Sequence, residues 1–344
     1  MKNTMECDCL IVGGGLAGCA AGCLLRRAGV DVLMLELLDA KTKDKLCGGL
    51  LFEIHLEHYA RIFGEKAARG IDVEMPARFR QRYANREIAT KAEFIAMRRK
   101  RLDDGAMDSY LAAGGRLLDR ATVRRLRAED GVAECEELRT GKSFIVRFSH
   151  IVGADGAMST VRRLATGKKP RVTFALETTV ARRGGDIIFE YLSSPLTGYV
   201  WYIPQGPEEA LIGCGCAGHD LPAGLRGQIE EALDSFCGRE GYRMTAPFRG
   251  APIPLGNDIL LRAGENVYFV GDAAGLIGQL GAGIWSALLS GEKLAEALCG
   301  GTLYEESMRE ETDMLTQVAS NGIKAQFLKN FTIMRKGVPY TPGK

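Results

Sequence analysis

The stretch "CDCLIVGGGLAGCAAGCLLRRAGVDVLMLEL", residues 7–37, decides the fold. Cys9 to Val12 is a short apolar run, which predicts a buried parallel strand. Gly13, Gly15 and Gly18 follow as G-x-G-x-x-G, and small residues and leucines to Arg27 predict a helix that ends at Gly29. Val30 to Leu35 predicts a second buried strand, with Glu36 at its end. Each part has a physical reason. Gly13 permits the tight turn, Gly15 lets backbone approach a pyrophosphate, and Gly18 lets the helix pack on the strand. The helix start, with Leu16 and Ala17, offers free N–H groups to phosphate, and Glu36 can accept from ribose hydroxyls. The glycine motif alone is weak, but strand, helix and acid together predict dinucleotide binding.

Two later segments repeat the strand-turn-helix theme. "HIVGADGAMSTVRR", 150–163, predicts a strand, the turn Gly153-Ala154-Asp155-Gly156 and a helix carrying Arg162 and Arg163. "ENVYFVGDAAGL", 265–276, predicts a strand over 266–270 that ends in Gly271-Asp272, with a helix from Gly283 to Leu298 beyond it. An acid at a strand end beside a glycine-rich helix start suits a ribityl hydroxyl with a pyrophosphate or a flavin ring. A nicotinamide dehydrogenase has no need of this second element, so the far end of the chain favours FAD. The apolar run 267–285 carries one charge, Asp272, and five glycines. It therefore predicts strand, turn and helix rather than a membrane span.

Bulk properties set bounds on the rest. The 344 residues are 46% hydrophobic and 26% charged, ordinary for a folded protein, and the net charge of +2 excludes a strongly electrostatic role on nucleic acid or an anionic membrane. Ten cysteines occur without a C-x-x-C pair, so no metal site is expected. With no secretory signal before the first motif, scattered thiols predict a reducing cytoplasmic setting. Four histidines and no G-x-S-x-G exclude hydrolase chemistry. His55 and His58, on a predicted helix, are expected to be packed or exposed without a catalytic role.

The order GGGLAG, GADG, GDAAG resembles flavoproteins with the para-hydroxybenzoate hydroxylase fold, and so does Arg99-x-x-Leu102-Asp103 at a helix start. Within that fold, "CGGLL" at 47–51 and "GYVWYIPQG" at 198–206 resemble the geranylgeranyl reductase family, which pairs an early Cys-Gly-Gly with a later Y-x-W-x-F-P. Tyr199, Trp201 and Pro204 match, and Ile203 replaces the aromatic. Gly281-Ala282-Gly283-Ile284, Ala287 and Ser290-Gly291 match the family's last helix start. Gln205 stands where a lysine is common, the loop between Gly275 and Gly281 is short and lacks a proline, and the segment after Leu298 is shorter than the extension that helps shape a lipid tunnel. The resemblance implies an α/β architecture: a Rossmann-like FAD-binding domain of para-hydroxybenzoate hydroxylase type with an antiparallel-sheet substrate domain. The implied division is 1–70, 95–165 and 258–300 for FAD, 71–94 and 166–257 for substrate, and a helical segment over 301–344. It implies FAD contacts from Gly13, Gly15, Leu16, Ala17, Gly18, Glu36, Gly48, Gly49, Arg99, Val123, Asp155, Gly271, Asp272, Gly281, Gly283 and Ile284.

The polar, lysine-rich stretch 39–46 is a loop expected to run from the ribose end toward the flavin, which brings Cys47 to the ring edge. A thiol there can donate a proton, orient substrate or only pack. Strand-like segments over 171–216 predict an antiparallel sheet, on which Tyr199 and Trp201, two apart, share a face. With Cys47 they form the expected catalytic group. The resemblance implies hydride transfer from reduced flavin to a C=C bond of an apolar substrate. An aromatic hydroxylase is the alternative, followed by a halogenase or a flavin electron carrier. The electron donor stays open between NAD(P)H and a ferredoxin-type protein. Phe327, Leu328, Phe331 and Met334 leave capping, dimer contact or peripheral membrane contact open for the C-terminal segment.

Overall fold

Buried apolar strands with glycine-punctuated ends build the first of two sheets. The computed structural model describes residues 3–317 apart from 85, 193–195, 217–223, 255, 257 and 279–280. In the eight-stranded sheet, Arg262–Ala263, Val267–Phe269, Lys142–Gly153, Asn3–Val12, Val32–Leu35 and Arg116–Leu118 lie side by side in that order. All but the Arg262–Ala263 pairing are parallel. Val132–Glu137 adds antiparallel to Lys142–Gly153 and carries Ala121–Arg127 on its other edge. Val32–Leu35 is buried throughout, as expected for a parallel strand covered on both faces.

Register gives this sheet its functional edge. Leu35 pairs with Val12, Val12 with Gly153, and Gly153 with Phe269. Four neighbouring strands thus end on one row, and the three glycine turns leave the sheet together, at the kind of edge where open α/β sheets bind ligands. Helix Leu16–Arg27 packs against Ile284–Leu298 and Arg99–Ala112. The first contact depends on Gly291, where a Cβ would stand 2.5 Å from the Ala17 carbonyl oxygen. The second depends on Gly22, where a Cβ would stand 2.8 Å from the Tyr110 ring.

The second sheet has seven strands in the order Arg249–Pro254, Val172–Ala181, Glu209–Cys216, Gly198–Pro204, Ile187–Leu192, Arg78–Tyr83 and Arg86–Lys91. Only Arg78–Tyr83 runs parallel to its neighbour Ile187–Leu192. Alternation splits its two faces. Leu176, Val200, Tyr202, Ile212 and Cys214 point at helix Leu225–Glu240 and bury Ile229, Leu233 and Phe236. Ala175, Phe189, Tyr191, Tyr199, Trp201 and Ile203 gather on the opposite face. A two-stranded ribbon, Leu50–Phe52 with Phe94–Ala96, stands on the chain just after Cys47.

Two boundaries differ from the sequence expectation. The second strand starts at Val32 rather than Val30, because the Asp31 carbonyl accepts from the N–H groups of both Asp8 and Cys9 and the ladder begins only beyond it. The late strand is Val267–Phe269, and Gly271–Ala274 tightens into a short 3₁₀ turn. The run 267–285 is thus strand, turn and helix, and among the described residues no helix is long and apolar enough to cross a membrane. Tyr304–Ser307 is a short helix near the end of the described residues, while Phe327, Leu328, Phe331 and Met334 lie outside them.

Candidate active site

The nucleotide end is built by close backbone contacts. Gly13 has φ +110°, and a Cβ on it would stand 2.2 Å from the Ala154 carbonyl oxygen, so the first and second glycine turns touch. A Cβ on Gly18 would reach 2.0 Å from the Gly13 oxygen. Gly15, the residue before helix Leu16–Arg27, has nothing within 4 Å of the same position, and no side chain caps the helix. Free N–H groups and an open approach therefore coincide, which is what a phosphate requires. At the neighbouring strand end, Glu36 is buried and accepts from the N–H groups of Gly14 and Leu38, each at 2.9 Å.

The loop after Glu36 covers this end with lysines. Lys43 Nζ donates to Glu36 Oε2 at 3.1 Å and to the Gly14 carbonyl. Lys45 Nζ donates to Asp272 Oδ2 at 2.7 Å. The two acids expected to face the cofactor thus each hold a cation from one short loop. The Asp272 turn is braced from behind: Ser290 Oγ accepts from the Gly271 N–H at 3.0 Å, and the buried Arg162 donates to the Ala273 and Asp258 carbonyls and to Asp258 Oδ1. A Cβ on Gly283 would lie 3.2 Å from Asp272 Oδ1, and one on Gly281 would lie 3.7 Å from the Tyr199 hydroxyl. Asp272, the helix start at Ile284 and the substrate sheet therefore meet here.

The Cys47-Gly48-Gly49 loop is clamped on both sides. Gly49 has φ +66°, its carbonyl accepts from the Met97 N–H, and a Cβ on it would stand 1.9 Å from the Met97 carbonyl oxygen. The Gly48 carbonyl accepts from Gln205 Nε2 at 2.8 Å, and a Cβ on Gly48 would stand 2.7 Å from Ile203 Cδ1. Gln205 and Ile203, two of the departures from the family pattern, therefore seat this loop from the side of the second sheet. Cys47 is half-buried, and its sulfur accepts from the Gly49 N–H at 3.5 Å. Tyr199 and Trp201 share the face predicted for them, with ring centroids 5.5 Å apart. The Trp201 indole lies over Gly213, and its Nε1 is buried with no hydrogen-bond partner among the described residues. Burial pushes the Tyr199 hydroxyl far above the usual tyrosine range, helped by the nearby Tyr191, Cys214 and Cys47.

Three predicted cofactor residues have other partners in the structure. Arg99 is buried, pairs with Asp103 at 3.1 Å and leaves its Nε without a partner among the described residues. Burial would lower its basicity, but Asp103 and the Cys47 sulfur outweigh that and hold it charged. The Asp155 carboxylate accepts from Ser159 Oγ and from the N–H groups of Thr160 and Val161, so it caps its own helix. Val123 is fully enclosed in the core of the first sheet. His55 stacks on Trp285 and His58 meets Glu292 at 3.2 Å, packed roles as expected.

Glu177 escaped the sequence reading. It is a buried carboxyl on the Val172–Ala181 strand, on the rung that carries Gly213 and Trp201. Burial pushes it up to about 7, against the lowering effect of Arg249 and a hydrogen bond from the Cys47 N–H. A single glutamate in a β-branched strand carries no motif, so only the fold exposes it. All ten cysteines are free.

The residues present fit FAD: an uncapped helix start with an open glycine, a buried strand-end acid, a braced second acid, and an aromatic wall with a buried, unpartnered indole N–H. Residues 6–51 match the FAD binding domain family. Fold and site together define an FAD-dependent oxidoreductase. The chain is 30% identical to the geranylgeranyl diphosphate reductase of Rhodobacter capsulatus, over 85% of this chain and 75% of the relative. It is 24% identical to digeranylgeranylglycerophospholipid reductase 2 of Methanosphaera stadtmanae, over 89% and 82% of the two chains. Among solved structures, a geranylgeranyl bacteriochlorophyll reductase-like protein of Thermoplasma acidophilum superposes with a TM-score of 0.74 at 22% identity, covering 97% of this chain and 84% of that one. This chain belongs to the geranylgeranyl reductase family.

Proposed function

We propose that the protein saturates C=C bonds of an isoprenoid substrate held between the Cys47-Gly48-Gly49 loop and the Tyr199–Trp201 wall. One observation carries this reading. The loop is clamped between Met97 on one side and Ile203 and Gln205 on the other, so Cys47 is fixed beside the aromatic face of the second sheet. The family relatives, whose names describe geranylgeranyl and digeranylgeranyl reductases, agree with it.

Gly15, the Leu16–Ala17 helix start, Glu36 and Asp272 would hold the cofactor. Bound FAD in its reduced form supplies a hydride equivalent. The chain's own groups do the rest. Tyr199 and Trp201 exclude water and hold the apolar substrate flat. Cys47 Sγ delivers the proton to the carbon that does not receive hydride, Arg99 beside the sulfur stabilises the thiolate left behind, and solvent restores the thiol. Electrons enter from NAD(P)H or a ferredoxin-type donor protein. Ten free thiols agree with a reducing, cytoplasmic setting, and contact of the C-terminal segment with a membrane surface would bring the enzyme to a lipid substrate.

The test is anaerobic. The FAD-loaded enzyme is reduced with dithionite, freed of excess reductant and mixed with prenyl diphosphates and prenylated lipids. The flavin absorbance returns with at least one of them, and the Cys47→Ala enzyme shows a loss of about 100-fold in that rate. Failure of every alkene to reoxidise the flavin rejects the proposal.

A further inference from the structure

The aromatic wall does not end at Tyr199 and Trp201. On the second sheet Tyr199 stands 5.0 Å from Phe189, centroid to centroid, and Phe189 stands 5.1 Å from Phe79. Register explains both contacts: Phe189 pairs with Trp201 and Phe79 with Ile187, so each ring is the diagonal neighbour of the next on one face. Phe79 meets Phe94 of the two-stranded ribbon at 5.4 Å, and Phe94 meets its strand partner Phe52 at 4.6 Å. Phe52 then meets His55, on helix Glu53–Phe63, at 5.4 Å, and His55 stacks on Trp285 at 4.9 Å. The run thus returns to where it began. A Cβ on Gly281 would lie 3.7 Å from the Tyr199 hydroxyl, and Trp285 follows four residues later on helix Ile284–Leu298. Tyr199 and Phe189 are buried, whereas the rings from Phe79 onward are half-buried. Burial, with His58 beside it, pulls His55 down to about 4, so this imidazole is neutral at pH 7. At Trp285 the character changes. Its ring also meets His58 at 4.9 Å, His58 meets Glu292 at 3.2 Å, and Arg61 donates to both oxygens of that carboxylate.

We propose that the run from Phe189 to Trp285 is the subsite for the unreactive part of the isoprenoid chain, and that the His55–Trp285 stack is its end stop, which sets the preferred chain length. The inference rests on the reading of the Cys47 and Trp201 pocket as an isoprenoid site. It follows from what an alkyl chain can cover. Ring faces bury an apolar chain with no polar group to desolvate, and rings in contact keep burying it unit after unit. The cluster past Trp285 offers the opposite. Glu292 is nearly buried, at 7% side-chain exposure, and a chain entering there would part its carboxylate from Arg61 and His58 and leave a buried charge unpaired. Affinity therefore rises with each isoprene unit that lies on the rings and gains nothing from a unit that passes Trp285. His55 and Trp285 are specificity determinants and take no part in the chemical step.

Equilibrium binding reads the stop without reference to catalysis. The FAD-loaded enzyme is kept oxidised, so no alkene turns over, and all-trans prenyl diphosphates from geranyl through geranylgeranyl to solanesyl are titrated by calorimetry. In the wild type, affinity is expected to climb about tenfold or more per isoprene unit, since one buried methylene is worth about fourfold, and then to level off. In Trp285→Ala and in His55→Ala the shortest chain binds as it does to wild type. The first chain beyond the wild-type plateau binds these variants about tenfold tighter than it binds wild type, the worth of burying a further part of one unit. Trp285→Phe keeps a ring in place and levels off where wild type does. A plateau that stays at the wild-type length in both alanine variants overturns the stop. So does an equal loss of affinity at every length, which marks a merely structural role, and so does a wild-type affinity that climbs to the longest chain without levelling. If Trp285→Ala does not fold, His55→Ala removes the other half of the stack and carries the same comparison. If no alkene reoxidises the reduced flavin but the plateau moves, the reductase reading falls and the stop stands. If alkenes are reduced and the plateau stays, the stop alone falls.

Discussion

Lys45 Nζ stands 2.7 Å from Asp272 Oδ2, joining a loop near the start of the chain to the last glycine turn. Seven residues downstream of Glu36, Lys43 makes the matching contact at 3.1 Å. One loop thus neutralises both acids that the cofactor is expected to engage. The Lys43–Glu36 pair is nearly buried, at 9% and 10% side-chain exposure, so it is the stronger competitor. Lys43→Met is expected to tighten FAD binding about tenfold, equivalent to about 1.4 kcal/mol. Lys45→Met, whose lysine is half exposed, tightens it less. Titration of flavin fluorescence against each apoprotein measures this, and weaker binding in both variants would show that the lysines serve the cofactor rather than occupy its place.

The indole of Trp201 rests directly on Gly213, where an added Cβ would lie 2.1 Å from the ring and 2.7 Å from the Leu176 carbonyl oxygen. Gly213→Ala is therefore expected to cost about 1–3 kcal/mol through overpacking. The chain has two tryptophans, so the emission of Trp201 is readable once Trp285 is replaced by Phe. Denaturant unfolding combined with that emission checks the effect, and a stability within experimental error of the parent would refute the packing.

The seat of the Cys47 loop depends on backbone that only glycine tolerates. Gly49 has φ +66°, and its missing Cβ is replaced by the Met97 carbonyl at 1.9 Å. Gly49→Ala should displace the loop, while Gln205→Ala removes one clamp bond and leaves the other in place. The expected order of loss in turnover is Gly49→Ala well beyond Gln205→Ala, the latter costing about 0.5–1.5 kcal/mol of loop stability. Equal losses would place the clamp's strength in Gln205 instead.

Glu292, on helix Ile284–Leu298, ties helix Glu53–Phe63 to it through Arg61 and His58. Burial pushes this carboxyl up, but the hydrogen bonds from His58 and Arg61 win and hold it at about 2. Because its folded value lies below the ordinary 4.5, the stability it contributes is present above about pH 4.5 and is lost as pH falls toward 2. Glu292→Gln should lower the melting temperature at pH 7 and flatten the dependence of stability on pH across that acid window. Parallel curves for wild type and variant would contradict the linkage.

Much of this was legible in the sequence, for identifiable reasons. The three glycine turns are read from local pattern, because tight turns and helix starts demand glycine at fixed spacing, and Tyr199 and Trp201 share a face because strand alternation leaves no choice. The Lys43 and Lys45 contacts, the clamp by Gln205 and the burial of Glu177 were not legible. They arise from pairings between distant strands and loops, and no local spacing encodes a partner 227 residues away. Arg99 shows the intermediate case: its helix start and its partner Asp103 four residues on follow from local spacing, whereas its burial depends on tertiary packing.

The most direct measurement is the mass of the product. A prenyl diphosphate incubated anaerobically with the dithionite-reduced enzyme should gain two hydrogens per double bond saturated, both derived from solvent, so that two deuteriums are retained per bond when the reaction is run in deuterium oxide. The Cys47→Ala enzyme should form the same product far more slowly. Substrate recovered unchanged, together with oxygen-dependent hydroxylation of an aromatic compound by the same preparation, would contradict the account.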